Sequence, residues 1–173
     1  RVRGEVVLFS DADLSTPITE APRLFEPILR CEYDVVIGSR AMSGSQIEQQ
    51  QTLLRRGAGR LFNRMVRWAT HLNVADTQCG FKAFRRTSFA PLFAAQRIDG
   101  FAFDVELLHL ASRAGLRVLE LPVRWANADG GKVSMTRHTW QMAWDVFRIR
   151  VNDLRGRYAP PACSASMDLD SPR

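Results

Sequence analysis

Residues 5–13, EVVLFS closing on Asp11-Ala12-Asp13, decide the fold. A short apolar, β-branched run that gives way to polar loop residues is the pattern of a strand buried on both faces of a parallel sheet. The next stretch, LSTPITEAPRLFEPILR over 14–30, predicts a helix. Ser15 or Thr16 would cap it, Pro17 suits its first turn, and Leu24, Phe25, Ile28 and Leu29 supply a buried face, although Pro22 blurs the start. Residues 34–38, DVVIG, read as a second buried strand, so 5–38 form a β-α-β unit with parallel strands and a right-handed crossover. The C-terminal ends of both strands then share an edge, with Asp11 and Asp13 beside Ser39 and Arg40, where open α/β sheets bind ligands.

Outward from this unit the α/β pattern continues. Residues 43–51 read as an exposed, mobile loop. Over 52–71 an amphipathic helix is expected, with Leu54, Ala58, Leu61, Met65, Trp68 and Leu72 on its apolar side and Arg56, Arg60, Arg64 and Arg67 opposite. The loop DTQCG (76–80) leads into a strand over 81–86. A helix over 104–114 should close on Gly115, and a strand over 118–125 carries Pro122, the mark of an edge or bulge. A glycine-rich loop (ADGGK, 128–132) precedes a last helix over 136–155. There Trp140, Ala143, Trp144, Phe147, Val151 and Leu154 share a broad face, read as core-packing; tryptophan with nearby Arg148, Arg150, Arg155 and Arg157 also suits a membrane interface. The domain is expected over 1–157, with 158–173 a disordered tail. The fold class is α/β: a Rossmann-like, mostly parallel sheet flanked by helices.

At 173 residues the chain is one domain or most of one, and 46% hydrophobic against 24% charged residues excludes wholesale disorder. The net charge is +6, and all of the 24 basic residues except Lys82 and Lys132 are arginine. Arginine favours planar, bidentate anions such as phosphates, so a nucleic acid, a nucleotide, a headgroup or a lipid phosphate is the expected class of partner. Cys31, Cys79 and Cys163 form no CxxC pair, which indicates neither a disulfide framework nor a zinc site and fits a reducing compartment. No run approaches the roughly 18 apolar residues of a membrane-spanning helix, and no signal peptide opens the chain, so a soluble or peripheral protein is expected. The start at Arg1, almost directly before a strand, suggests that an N-terminal piece of the fold is missing.

Two aspartates one residue apart after a buried strand offer the hard oxygen ligands that Mg²⁺ or Mn²⁺ takes when it also holds a diphosphate. A DxD alone is weak, since Asp is common in turns; the preceding strand and following cap signals strengthen it. Arg40 reads either as a phosphate ligand or as a surface ion pair. Asp76, Gln78 and Lys82 surround Cys79-Gly80 in a loop that could approach a ligand or be merely a capped turn. Asp104 and Glu106 sit two apart at a helix start, where favourable interaction with the helix dipole accounts for at least one of them. Lys132 suits an anion or plain solvent. His71, His109 and His138 lack metal-ligand spacing, and no GxSxG, Walker or HExxH motif occurs.

Taken in order, VVLFSDADLSTP, YDVVIGSR, DTQCGFKAFRR, GFAFDVELL and ELPVRW resemble the inverting family 2 glycosyltransferases of GT-A fold, over about residues 3–155. The branch indicated is that of dolichyl-phosphate β-glucosyltransferase, with the mannosyltransferases as cousins. The resemblance implies an upstream strand for the nucleotide base. The missing QxxRW motif of processive synthases implies transfer of a single hexose, glucose by preference, from UDP-glucose or GDP-mannose to a polyprenyl or dolichyl phosphate. It further implies that Asp11 and Asp13 hold a divalent metal, with Asp13 favoured as the direct ligand. Arg40 and Lys132 would neutralise phosphate charge, while Asp76, Gln78, Lys82 and Ser39 would lie on the sugar or acceptor side. Asp76 would serve as base if the acceptor were a hydroxyl. A cytoplasmic enzyme, peripheral on the inner face of a membrane and without nucleic acid, is the corresponding expectation. Two rivals remain at this level: a haloacid-dehalogenase-like phosphatase, whose DxD normally continues to Thr or Val where Ser15 stands here, and a basic nucleic-acid-binding module.

Overall fold

The computed structural model describes residues 4–47, 53–70, 73–100, 102–126 and 135–158. Lys132, Cys163 and the tail beyond Tyr158 lie outside them. In chain order the elements are β1 (Val6–Ser10), α1 (Ala21–Leu29, entered through a 3-10 turn, Ile18–Glu20), β2 (Val35–Ser39), β3 (Gln46–Ile47) and α2 (Leu53–Thr70). They continue with β4 (Phe81–Arg85), α3 (Arg86–Ala95), α4 (Phe103–Arg113), β5 (Val118–Pro122), β6 (Arg124–Trp125) and α5 (Met135–Leu154).

The main sheet runs β1-β4-β2-β5. β1, β2 and β5 point the same way, as the β-α-β reading requires, but β4 lies antiparallel between β1 and β2. The sheet is therefore mixed, and β1, at its edge among the described residues, is only partly buried rather than covered on both faces. β2, in the interior, is buried throughout.

Alternation along β2 divides the core. Val36, with Phe81, Ala83 and Val123, packs on Leu24 and Ile28 of α1; Val35 and Ile37, with Phe84, pack on Leu107 and Leu108 of α4 and Val146 and Ile149 of α5. Helices thus cover both faces, and such apolar burial stabilises by about 25 cal/mol per Å². Neither Ser15 nor Thr16 caps α1. Its N-cap is Glu20 and Pro22 occupies the first turn, where a missing N–H costs nothing. α1 ends on Cys31, in a left-handed conformation (φ 59), with Glu32 N–H donating to the Pro27 carbonyl. α4 ends as expected: Gly115 (φ 69) donates to the Ser112 carbonyl and Leu116 to that of Ala111.

The strand expected over 118–125 is split after Pro122, and β6 leaves the sheet to pair with β3, inside the stretch read as a loop. The face that α2 turns to the core is rotated from the one expected: of that set Met65 packs against the core. Val66 and Thr70 are buried and Phe62 half-buried, while Leu61 and Trp68 stand exposed beside Arg64 and Arg67. On α5 the face read as core-packing is the exposed one; Val146, Ile149, Asp145 and Asn152 point inward instead. Tyr158, the first residue of the expected tail, is buried, and its hydroxyl donates to Glu106 Oε1 at 2.6 Å.

Candidate active site

Strand register assembles the site. Ser10 pairs with Phe81 and Ile37 with Lys82, while Ser39 pairs with Pro122, so the C-terminal ends of β1, β2 and β5 meet the start of β4 along one edge. The loop before β4 consequently lies between Asp11 and Arg40, and Asp11 N–H donates to the Gly80 carbonyl at 2.9 Å.

The Asp11 carboxylate lies over Gly80 so closely that a Cβ there would stand 2.0 Å from its Cγ and both oxygens. Only glycine leaves that space. The turn continues through Leu14, whose N–H donates to the Asp11 carbonyl at 3.1 Å and whose φ of 52 is strained for a side-chain-bearing residue. Asp13 Oδ1 accepts from Ser15 N–H at 3.0 Å, and the Ser15 carbonyl accepts from Ala126 N–H at 2.8 Å, tying the acidic turn to the end of β6. Burial, then the neighbouring Asp13 charge, raise the Asp11 carboxyl above its ordinary range, against the opposing pull of Lys82 and Arg40. A cation would relieve that repulsion. Two adjacent hard carboxylates suit Mg²⁺ or Mn²⁺, with the remaining ligands coming from phosphate or water, since no group of three or more His, Cys, Asp or Glu side chains gathers among the described residues.

Arg40 and Asp76 form a two-pronged pair, Nε to Oδ2 at 2.7 Å and Nη2 to Oδ1 at 2.9 Å, and Arg40 N–H adds a third bond at 3.0 Å. Burial alone would raise the Asp76 carboxyl, but the bonds and charge of Arg40 outweigh it and hold it below the usual carboxylate range. Asp76 is thus a weak base and a strong anchor. The arginine lies over the Trp125 ring at 5.6 Å, and only two of its five N–H groups go to the Asp76 side chain. The loop is fixed from below by Glu120, which accepts from Ala75 and Asp76 N–H at 2.8 Å each, and by Asn63 of α2, bonded to the Ala75 carbonyl and to Thr77.

Beside Asp11 opens a cavity of about 190 Å³. Ser10, Asp11, Gln78, Lys82 and Asp104 line its polar side, and Phe9, Phe84, Phe103, Leu107 and Met142 its apolar side. Lys82, 2% exposed, donates to the Cys79 carbonyl at 2.5 Å and to Asp104 Oδ2 at 2.9 Å. Gln78 Nε2 reaches Asp104 Oδ1 at 3.5 Å.

The fold therefore brings Asp11, Gln78 and Lys82 together on one cavity, with the Arg40–Asp76 pair next to it. Asp13 and Ser39 are not on its wall: Asp13 closes the acidic turn, and Ser39 is fully buried, its Oγ accepting from Ala41 N–H at 3.2 Å. Asp104 is the residue missed. Its place in the first turn of α4 gives it a sufficient local role, and only the pairing with Lys82, 22 positions earlier, reveals another.

Against known proteins, a family model described as glycosyl transferase family 2 matches residues 1–93. The chain is 32% identical over 168 residues to a Saccharomyces cerevisiae protein named dolichyl-phosphate beta-glucosyltransferase, covering 91% of this chain and 50% of that one. A Drosophila melanogaster protein of the same name is 34% identical, over 90% of this chain and 49% of its own. The Haloferax volcanii glycosyltransferase AglD is 34% identical, over 84% and 23%. The chain spans about half the length of the first two relatives.

Proposed function

The chain belongs to glycosyl transferase family 2, and from that premise we propose that it forms the catalytic part of an enzyme moving one hexose from a sugar nucleotide to a polyprenyl phosphate, with inversion. The observation that carries this reading is the cavity lined by Asp11, by the Lys82–Asp104 ion pair and by the aromatic and aliphatic side chains of Phe9, Phe84, Phe103, Leu107 and Met142. The relatives named as dolichyl-phosphate glucosyltransferases support the acceptor class, and glucose before mannose.

In this reading Asp11 and Asp13 hold a divalent cation, Mg²⁺ or Mn²⁺, which when bound supplies Lewis-acid stabilisation of charge growing on the departing nucleoside diphosphate. Arg40, fixed by Asp76, would offer its remaining N–H groups to the same oxygens, where prearranged donors count most. Lys132, outside the described residues, is assigned to the same charge on the sequence resemblance alone. Lys82 already gives two N–H groups to Cys79 and Asp104, and its third donor, with Gln78 Nε2, suits sugar hydroxyls. The acceptor is a phosphate monoester whose second pKa is about 6. Its oxygen is already anionic near neutral pH and attacks the anomeric carbon as the bond to the diphosphate oxygen breaks on the opposite face. No proton must be removed, which agrees with an Asp76 held as a weak base.

The test is transfer from radiolabelled UDP-glucose and GDP-mannose to a polyprenyl phosphate, with and without a chelator. The expected result is a cation-dependent lipid-linked β-product. Phosphate release with a phosphorylated Asp11 would favour the phosphatase reading, and salt-sensitive nucleic-acid binding untouched by Asp13→Ala the basic-module reading.

A further inference from the structure

ELPVRW (120–125) reaches both members of the Arg40–Asp76 pair, through two different residues. Glu120 lies in β5 opposite Ile37 of β2. Its carboxylate oxygens each accept a backbone N–H at 2.8 Å, Oε2 from Ala75 and Oε1 from Asp76. A half-buried carboxylate costs free energy unless it is bonded in this way. Pro122 ends the strand, and the chain passes through Val123, whose N–H donates to the Ser39 carbonyl at 3.3 Å, into β6. There Trp125 pairs with Ile47 and is 8% exposed, and the guanidinium carbon of Arg40 stands 5.6 Å from its ring centroid. β6 is itself pinned: Arg124 Nε donates to Oε1 of the buried Glu20 at 2.8 Å, and Ala126 N–H to the Ser15 carbonyl at 2.8 Å. The break at Pro122 thus lets one short segment hold the acid through Glu120 and the base through Trp125.

Arg40 keeps 27% of its side chain exposed, so the N–H groups that Asp76 leaves free can meet a ligand. Burial by itself would weaken the hold of the guanidinium on its proton, but Asp76, then Cys79 and Asp11, raise it above its ordinary value. The cation is therefore close enough to the acidic turn to feel its charge. A free arginine side chain samples many rotamers, whereas its planar fork meets a phosphate squarely in one orientation. Asp76 sets that plane only while its own backbone is fixed, which Glu120 supplies. The Trp125 ring closes the guanidinium face, where cation–π attraction holds it.

We propose that Glu120 and Trp125 are positioning residues that aim Arg40, Glu120 through the Ala75–Asp76 backbone and Trp125 through the guanidinium face, so that its free N–H groups are prearranged for a diphosphate. That this diphosphate is the leaving group of a sugar nucleotide rests on the transfer reading; the aiming of Arg40 at a pyrophosphate-type anion does not.

Glu120→Gln keeps the size of the side chain but sets an amide donor against one of the two N–H groups. Trp125→Leu removes the ring, and Trp125→Phe keeps one. The full chain is assayed for hexose transfer and, by isothermal titration, for binding of inorganic pyrophosphate with Mg²⁺, with thermal unfolding alongside. Glu120→Gln and Trp125→Leu should each lose about tenfold in kcat/KM, carried by kcat, and several-fold in pyrophosphate affinity, and Trp125→Phe should recover most of both. The decisive comparison is a double-mutant cycle with Arg40→Lys, which keeps a charge for Asp76 but has no fork. In that background the same substitutions should cost less than about twofold, because nothing is left to aim. A merely structural role would cost the same in both backgrounds. Equal losses with and without Arg40→Lys, or wild-type pyrophosphate affinity in Glu120→Gln and Trp125→Leu, overturn the proposal. Pyrophosphate binding that follows the expected pattern in a chain showing no transfer would support the aiming and sink the transfer reading alone.

Discussion

Replacing Gly80 with alanine isolates the Asp11 carboxylate. The new Cβ would fall 2.0 Å from Asp11 Cγ and both oxygens, whereas ordinary contacts begin beyond about 3.4 Å, so the carboxylate must withdraw by more than an ångström. What yields is the free end of a side chain, and Gly80 is not in the left-handed region, so the backbone accepts alanine. Stability should change by less than about 1 kcal/mol, within the range of substitutions that neither create a cavity nor strand a charge. Function should not be spared, because misplacing a reacting group by about 1 Å can cost on the order of 10²-fold. Steady-state sugar transfer at saturating Mg²⁺, paired with thermal unfolding, reads both. The expected outcome is a roughly hundredfold loss in kcat/KM with a melting temperature close to that of the wild type. Transfer within twofold of wild type at unchanged stability would refute the idea that the position of Asp11 matters.

Other outcomes follow from the buried pairs. Asp76→Ala strands Arg40 and should cost about 3 kcal/mol in chemical denaturation. Because the Asp76 carboxyl is held below its ordinary 3.8, its contribution is present above that pH and fades as pH falls through the lower folded value, so Asp76→Asn should flatten the acid limb of the stability curve. Lys82→Met leaves Asp104 buried without its partner and should cost about 3–5 kcal/mol, whereas Lys82→Met/Asp104→Leu should recover much of the stability and none of the transfer. Tyr158→Phe removes a 2.6 Å bond to the fully buried Glu106 and should cost about 1.5–3 kcal/mol by thermal unfolding.

Local chemistry made much of this legible in the sequence. The β-branched runs before Asp11 and Arg40 are strands whose ends share an edge, and Gly115 stops α4 where its backbone freedom is needed. What escaped was decided at long range. No local pattern announces that β4 slips antiparallel between β1 and β2, although it is this register that sets Gly80 against Asp11. α3 escaped because Pro91 interrupts a segment without helical periodicity. α2 and α5 each offer two apolar stripes, and periodicity alone cannot say which one meets the sheet. The choice falls to Val66 and Thr70 in one and Val146 and Ile149 in the other, leaving the tryptophans outside. Asp104 and Lys82 likewise have sufficient local explanations until the fold joins them.

The central claim is that the Asp11–Asp13 turn holds the cation that activates a sugar nucleotide. The most direct measurement is the initial rate of hexose transfer to polyprenyl phosphate in Asp11→Asn and Asp13→Asn, titrated with Mn²⁺. The account predicts rates reduced by at least about a thousandfold in both, consistent with the loss of several kcal/mol of transition-state stabilisation. A wild-type rate with an unaltered Mn²⁺ dependence in either variant would contradict it.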